Sequence, residues 1–201
     1  MNKTFKLYKV FENPLDEKAF FKAKNIYCNS IRKNSFSMLE NTNLIELIKT
    51  IKRTPDQIGP YQDLTPFEVL NRIGSDLVLL AGAEKIFNNE VPSIKPTKIL
   101  LNMGNKAGYD IEIDAEQGKI YGEAFNAATS FCKVKMRQSI DKLLEGSRKE
   151  EVYSQGQAVV FYNADIEKTI KAYKNQKDKS CKKVTIHKIA CDYEKVVDFI
   201  N

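Results

Sequence analysis

The stretch from Lys98 to Asn126 limits what this chain can fold into more than any other. Lys98 to Met103 is a short apolar run that suits a buried strand. Tyr109 to Asp114 alternates strictly, with Tyr109, Ile111 and Ile113 on one face and Asp110, Glu112 and Asp114 on the other. Lys119 to Phe125 is a third strand, and Ala115 to Gly118 is the hairpin connection before it. Of these three consecutive strand patterns, the last two, joined by a tight turn, are expected to form an antiparallel hairpin.

The register of that hairpin follows from its length. A two-residue loop (Glu116, Gln117) pairs Ala115 with Gly118, and a four-residue loop pairs Asp114 with Lys119. Both give one ladder, and it sets Asp110 opposite Glu123. Directly opposed residues share a face with Cβ atoms about 4.5–5.5 Å apart, and like charges so placed repel. A divalent cation held by both carboxylates would relieve the repulsion, and Mg²⁺ takes hard oxygen ligands of this kind. The same spacing is also met by a solvated or frayed pair, and an odd loop length would send one carboxylate to the other face.

Around this centre the punctuation divides the chain. Residues 1–60 read as a helical N-terminal appendage and 61–201 as an α/β core, together one compact domain at 201 residues. Thr4 to Phe11 suits a strand or an extended lead-in. Ala19, Phe20, Ala23, Ile26, Tyr27 and Ile31 recur at helical spacing, and Leu44 to Ile51 suits a second helix. Thr54-Pro55 and Gly59-Pro60 predict a breaker-rich connection. Thr65-Pro66 opens a helix with an N-cap, a proline at its first position and Glu68 in its first turn. Its stripe of Ile73, Leu77 and Leu80 continues at Glu84. After the three strands, Thr129-Ser130 cap a helix from Phe131 to Leu144, with Gly146 as its stop. Gln157 to Tyr162 is an apolar fourth strand, Asp165 to Tyr173 a helix, Lys174 to Lys183 a charged loop, Val184 to Ala190 a strand, and Tyr193 to Ile200 a terminal helix. The fold class is therefore α/β, a mixed central sheet flanked by helices.

The formal net charge is +6 and the pI near 9.0, which suits a polyanionic partner and equally a lysine-rich soluble surface. Cys28, Cys132, Cys181 and Cys191 are scattered and His187 is the only histidine, so a structural zinc site is not expected. His187 sits in a strand pattern and reads as structural. No leader and no run of about 20 apolar residues is present, so a cytoplasmic protein without a membrane span is expected.

The Gly108-Tyr-Asp110-Ile turn-and-strand and the Lys119-Ile-Tyr-Gly-Glu123-Ala-Phe-Asn126 strand resemble the core of the PD-(D/E)xK nuclease superfamily, the restriction-endonuclease-like fold. Its pattern is an aspartate on one strand and Glu-x-Lys on the next. Asp110 matches the aspartate and Glu123 the glutamate, while Phe125 stands where the lysine belongs. The order helix, three strands, helix, strand is that family's αβββαβ topology. The resemblance implies Mg²⁺-dependent hydrolysis of phosphodiester bonds in DNA, with Mn²⁺ able to replace Mg²⁺, and leaves a homodimer open. It makes Asp110 and Glu123 the metal ligands, assisted by Glu84 from the first core helix or by Glu112. The missing lysine is expected to be supplied from the following helix, by Lys133 or Lys135, with Arg137 nearby. The alternative that follows from Phe125 is a catalytically inactive member of the same fold, a nucleic-acid-binding or protein-interaction module. A regulatory α/β domain with a solvated acidic hairpin is the reading from outside the family.

Overall fold

The computed structural model describes residues 4–32, 43–104, 107–116, 118–145, 156–173 and 184–195. In chain order the elements are α1 (Glu17–Arg32), α2 (Leu44–Arg53), β1 (Asp56–Ile58), β2 (Tyr61–Leu64), α3 (Pro66–Phe87), β3 (Pro96–Leu101), β4 (Ile111–Ala115), β5 (Gly118–Phe125), α4 (Cys132–Leu144), β6 (Gln157–Asn163), α5 (Glu167–Ala172) and β7 (Thr185–Cys191). Short 3-10 turns cover Tyr8–Phe11 and Ala164–Ile166. Gly146, the 174–183 loop and most of the expected terminal helix lie outside the described residues.

The main sheet has the order β3-β4-β5-β6-β7. Its first three strands are antiparallel, and β5, β6 and β7 run parallel. The connections dictate this. Ala115 pairs with Gly118 across a tight turn, which forces β4 and β5 antiparallel. Between β5 and β6 the chain crosses over through α4, the kind of connection a parallel pair needs. From α3 to β6 the order is αβββαβ, in a mixed α/β fold with helices flanking the sheet.

Strand alternation sorts the side chains into two cores. Ile111, Ile113, Ile120, Val159 and Phe161 face α3, whereas Phe125, Val160 and Tyr162 join Cys132, Met136 and Ile140 of α4. The start of α3 is fixed locally. Thr65 Oγ1 accepts from the Glu68 N–H while the Glu68 carboxylate accepts from the Thr65 N–H, a reciprocal cap worth about 0.5–2 kcal/mol. By contrast α4 starts at Cys132 with no side-chain cap from Phe131, so Thr129 and Ser130 do not cap it.

The segment before α3 packs into the core. Phe5, Phe11, Phe20 and Tyr27 are buried in the same core as α3 and the sheet, and Phe20 packs on Phe87 with ring centroids 5.2 Å apart. Thr4 to Phe11 is neither strand nor extended lead-in but a 3-10 turn preceded by a single bridge, Phe5 to Tyr61. The expected breaker-rich connection is a small hairpin, β1 on β2. Gly59, at φ +56°, turns the chain so that Ile58 pairs with Tyr61.

Gly82 marks where α3 touches the sheet most closely. A Cβ there would overlap the Phe161 ring. Gly82→Ala gains up to about 1 kcal/mol of helix propensity. Overpacking a filled core costs about 1–3 kcal/mol, and the Phe161 ring, buried in β6, has little room to yield. A net loss of about 1–2 kcal/mol is expected in urea unfolding. A variant as stable as the wild type would show that α3 can lift off the sheet freely.

Candidate active site

The ladder of β4 and β5 runs from Ala115–Gly118 to Ile111–Gly122 and changes character at the next step. There the Asp110 N–H donates to the Gly122 carbonyl at 3.0 Å. The Ala124 N–H donates to Asp110 Oδ2 at 2.8 Å rather than to a backbone carbonyl. The Asp110 carbonyl accepts from the Asn102 N–H at 2.9 Å. Asp110 is thus pinned by three backbone partners just beyond the last ladder pair, Ile111–Gly122.

Glu123 faces α4. It is 6% exposed, and Lys142 from the last turn of α4 places Nζ 2.7 Å from its carboxylate. Oε2 takes the hydrogen bond. Oε1 lies equally close to the ammonium but at poor geometry, and is buried without a hydrogen bond. Burial and then the Asp110 charge push the Glu123 carboxyl up to about 8, against the opposing pull of Lys142. Burial also raises Asp110, with the Ala124 N–H and Lys142 lowering it in part.

On the other side, Asp110 lines a cavity of about 300 Å³ with Asn71, Arg72 and Asp76 of α3, and with Asn102 and Ala124. Asp76 is buried, and its Oδ2 accepts from two tyrosine hydroxyls, Tyr27 of α1 at 2.7 Å and Tyr61 of β2. Burial lifts Asp76 to about 7, with the two tyrosine bonds opposing and the Asp110 charge adding to the rise. Both tyrosines are themselves raised, first by burial and then by the Asp76 charge.

The residues expected from sequence divide. Asp110 and Glu123 sit at the same end of one hairpin, but the expected alternation breaks there. Tyr109 packs in the α4 core while Ile111 and Ile113 face α3, so Asp110 opens onto the α3 cavity and Glu123 faces α4. Glu84 does not reach them: it pairs with the buried Lys24 of α1 at 2.6 Å. The α3 acid at the cavity is instead Asp76, eight residues earlier, about 12 Å back along the axis. Glu112 is engaged by Lys119 at 3.4 Å, one pleat nearer the turn. Lys133, Lys135 and Arg137 are exposed on the first turns of α4. Lys142 makes the contact expected of Lys133 or Lys135, because the helix meets Glu123 at its C-terminal end. Two signals were available for the missed residues. Asp76 is a lone acid inside the apolar run from Ile73 to Leu80. Lys142 adjoins Leu143 and lies one turn after Ser139, both on the buried stripe of α4. His187 is held by Gln157 at 3.0 Å, away from these groups in β7, and burial lowers it.

Among the described residues, no three His, Cys, Asp or Glu side chains form a self-sufficient metal cage. Mg²⁺ is commonly held by one or two carboxylates, with waters and substrate phosphates completing its shell. Asp110 and Glu123 offer hard carboxylate oxygens of that kind, and Glu123 Oε1 is buried and takes no hydrogen bond, with the Lys142 ammonium 2.7 Å away. No described helix is long and apolar enough to cross a membrane. Comparison of the chain with protein-family models, with curated proteins and with solved structures finds no match.

Proposed function

We propose that this chain is a divalent-metal-dependent nuclease of PD-(D/E)xK type that hydrolyses phosphodiester bonds in DNA. The observation that carries the reading is the contact of Lys142 with Glu123, beside Asp110. A lysine pairs with Glu123 close to Asp110, although Phe125 stands where the strand would have supplied the lysine. The αβββαβ order and the antiparallel β3-β4-β5 meander support the same reading.

Asp110 and Glu123 would hold Mg²⁺ or Mn²⁺, and the bound ion supplies Lewis-acid polarisation of the phosphate and a more acidic water. The remaining work belongs to the chain. The Ala124 N–H and the backbone bonds of Asp110 hold one carboxylate in place before substrate arrives, which reduces the reorganisation that the reaction needs. Lys142, 45% exposed, can shift its ammonium from Glu123 to an incoming phosphate oxygen or to the attacking water. The excess of lysine and arginine supplies backbone attraction, so binding should weaken steeply as salt rises.

The test is nicking of supercoiled plasmid by the purified protein in Mg²⁺ or Mn²⁺, with EDTA as the blank. Metal-dependent relaxed circles are expected. If the plasmid stays intact in both metals, and neither metal raises the unfolding temperature, the proposal is overturned.

A further inference from the structure

The cavity at Asp110 has a chemistry that the hydrolytic step leaves unused. Arg72 stands over the Tyr61 ring with its guanidinium carbon 5.8 Å from the centroid, and makes no ion pair or hydrogen bond among the described residues. Both tyrosine hydroxyls use Asp76 Oδ2, so Oδ1 accepts nothing among those residues. The side-chain N–H of Asn102 donates to the Tyr109 carbonyl at 2.6 Å, and its Oδ1 accepts nothing there either. A donor fork and two acceptor oxygens thus line one space with Asp110.

This set selects its ligand. A phosphate would meet Arg72 but also two carboxylates, which repel it. A purely apolar group would leave all three polar groups without partners. A nucleobase fits, because its hydrogen-bonding edge carries ring and carbonyl acceptors beside amino or imino donors. About 300 Å³ is at the small end of ligand pockets and is sufficient for one base. A paired base keeps its Watson–Crick edge in the duplex, so only an unpaired one can present it here. Phe67 adds a second, independent feature. It is 51% exposed and one helical turn ahead of Asn71 on the same face of α3, where a neighbouring base can stack.

We infer that the cavity between α3 and the end of the β4–β5 hairpin is a subsite for an unpaired nucleobase. The substrate is then a nucleic acid with a bulged, flipped or single-stranded nucleotide next to the scissile phosphate. This rests on the nuclease reading and narrows its substrate class.

The experiment uses the full chain and three oligonucleotides of one sequence: a paired duplex, the same duplex with a one-nucleotide bulge, and the single strand. Each carries 2-aminopurine at the same position, the bulged one in the second case. Binding is read by anisotropy in Ca²⁺, base capture by 2-aminopurine emission, and cleavage in Mg²⁺. The bulge and the single strand should bind at least about tenfold more tightly than the duplex, as expected when one base gains hydrogen bonds and stacking. Emission should change on binding. Arg72→Ala should lose this preference, and so should Asn71→Trp, which places an indole at the cavity rim, with unfolding temperatures confirming the fold of both. Equal affinity for all three oligonucleotides, or an undiminished preference in Asn71→Trp, overturns the subsite. Cleavage without preference leaves the nuclease reading standing and removes the subsite. Preference without cleavage retains the subsite and removes hydrolysis, and no binding to any of the three removes both.

Discussion

Replacing Lys142 by alanine should lower the rate of DNA cleavage by about 10²–10⁴-fold, the usual contribution of a positioned acid–base or charge-stabilising group. The reason is geometric. Lys142 is the one cation that the fold brings to Glu123 among the described residues, at 2.7 Å. Metal-dependent stabilisation should survive or strengthen, since the ammonium no longer competes for the carboxylate. The fold should survive as well. Glu123 already titrates near 8, so without its partner it simply stays protonated at neutral pH. Lys142→Arg should recover part of the rate if charge is what matters. Lys133→Ala and Lys135→Ala should change the rate by no more than a few-fold, through lost phosphate contacts alone. Single-turnover cleavage at saturating DNA reads all four variants. Wild-type rates in Lys142→Ala, or a collapse in Lys133→Ala or Lys135→Ala, would return the catalytic lysine to the start of α4.

A comparable loss is expected on the carboxylate side. Asp110→Asn and Glu123→Gln should each abolish both cleavage and the rise in unfolding temperature that Mg²⁺ or Mn²⁺ produces. At metal concentrations about 100-fold above Kd that rise corresponds to about 2.7 kcal/mol. In Asp110→Asn the side-chain amide oxygen can still accept the Ala124 N–H, so the apo fold should hold. The pH dependence provides a second readout, and its sign is definite. Glu123 and Asp76 both have folded-state values raised above those of the unfolded chain, to about 8 and about 7. A raised carboxyl makes its full contribution at low pH, where folded and unfolded states are both protonated. Above the ordinary carboxylate range the unfolded chain ionises first, and that contribution is lost progressively up to the folded-state value. The metal-free protein should therefore lose stability between about pH 4.5 and 8. Each group contributes a loss of about 1.4 kcal/mol for every pH unit between its unfolded and folded values. Glu123→Gln should flatten the upper part of that slope. Metal affinity should rise over the same range, because the ion must displace a proton from Glu123. Urea unfolding at several pH values, with and without Mg²⁺, tests both statements. Undiminished metal stabilisation in either variant would exclude that carboxylate from the site.

The sequence by itself determined whatever depends on neighbours along the chain. The cap at Thr65 and Glu68 needs only residues three apart, and the start of α3 follows from it. The Ala115–Gly118 pairing needs only a short turn between two alternating segments, and it brings Asp110 and Glu123 to the same end of one hairpin. A strand has a period of two, so the register also chose the faces of Ile111 and Ile113. Beyond the last ladder pair the alternation breaks, and Tyr109 joins the α4 core while Asp110 opens onto the α3 cavity. The α4 crossover then made β6 parallel to β5. Tertiary structure decided which helical residues reach the hairpin. Periodicity assigns a residue to a face of a helix, but not to a height along it. Each residue advances about 1.5 Å, and only the seating of the helix on the sheet decides what lies opposite. For α3 that seating depends on Gly82 against Phe161 and Gly74 against Asn126. It sets Asp76 at the cavity and leaves Glu84 to Lys24. For α4 it sets Lys142, and neither Lys133 nor Lys135, beside Glu123. The tyrosines that hold Asp76 come from α1 and β2, segments whose sequence carries no mark of a site. Their role exists only because the N-terminal aromatic residues are buried against α3, a contact between positions 49 and 15 residues apart in the chain.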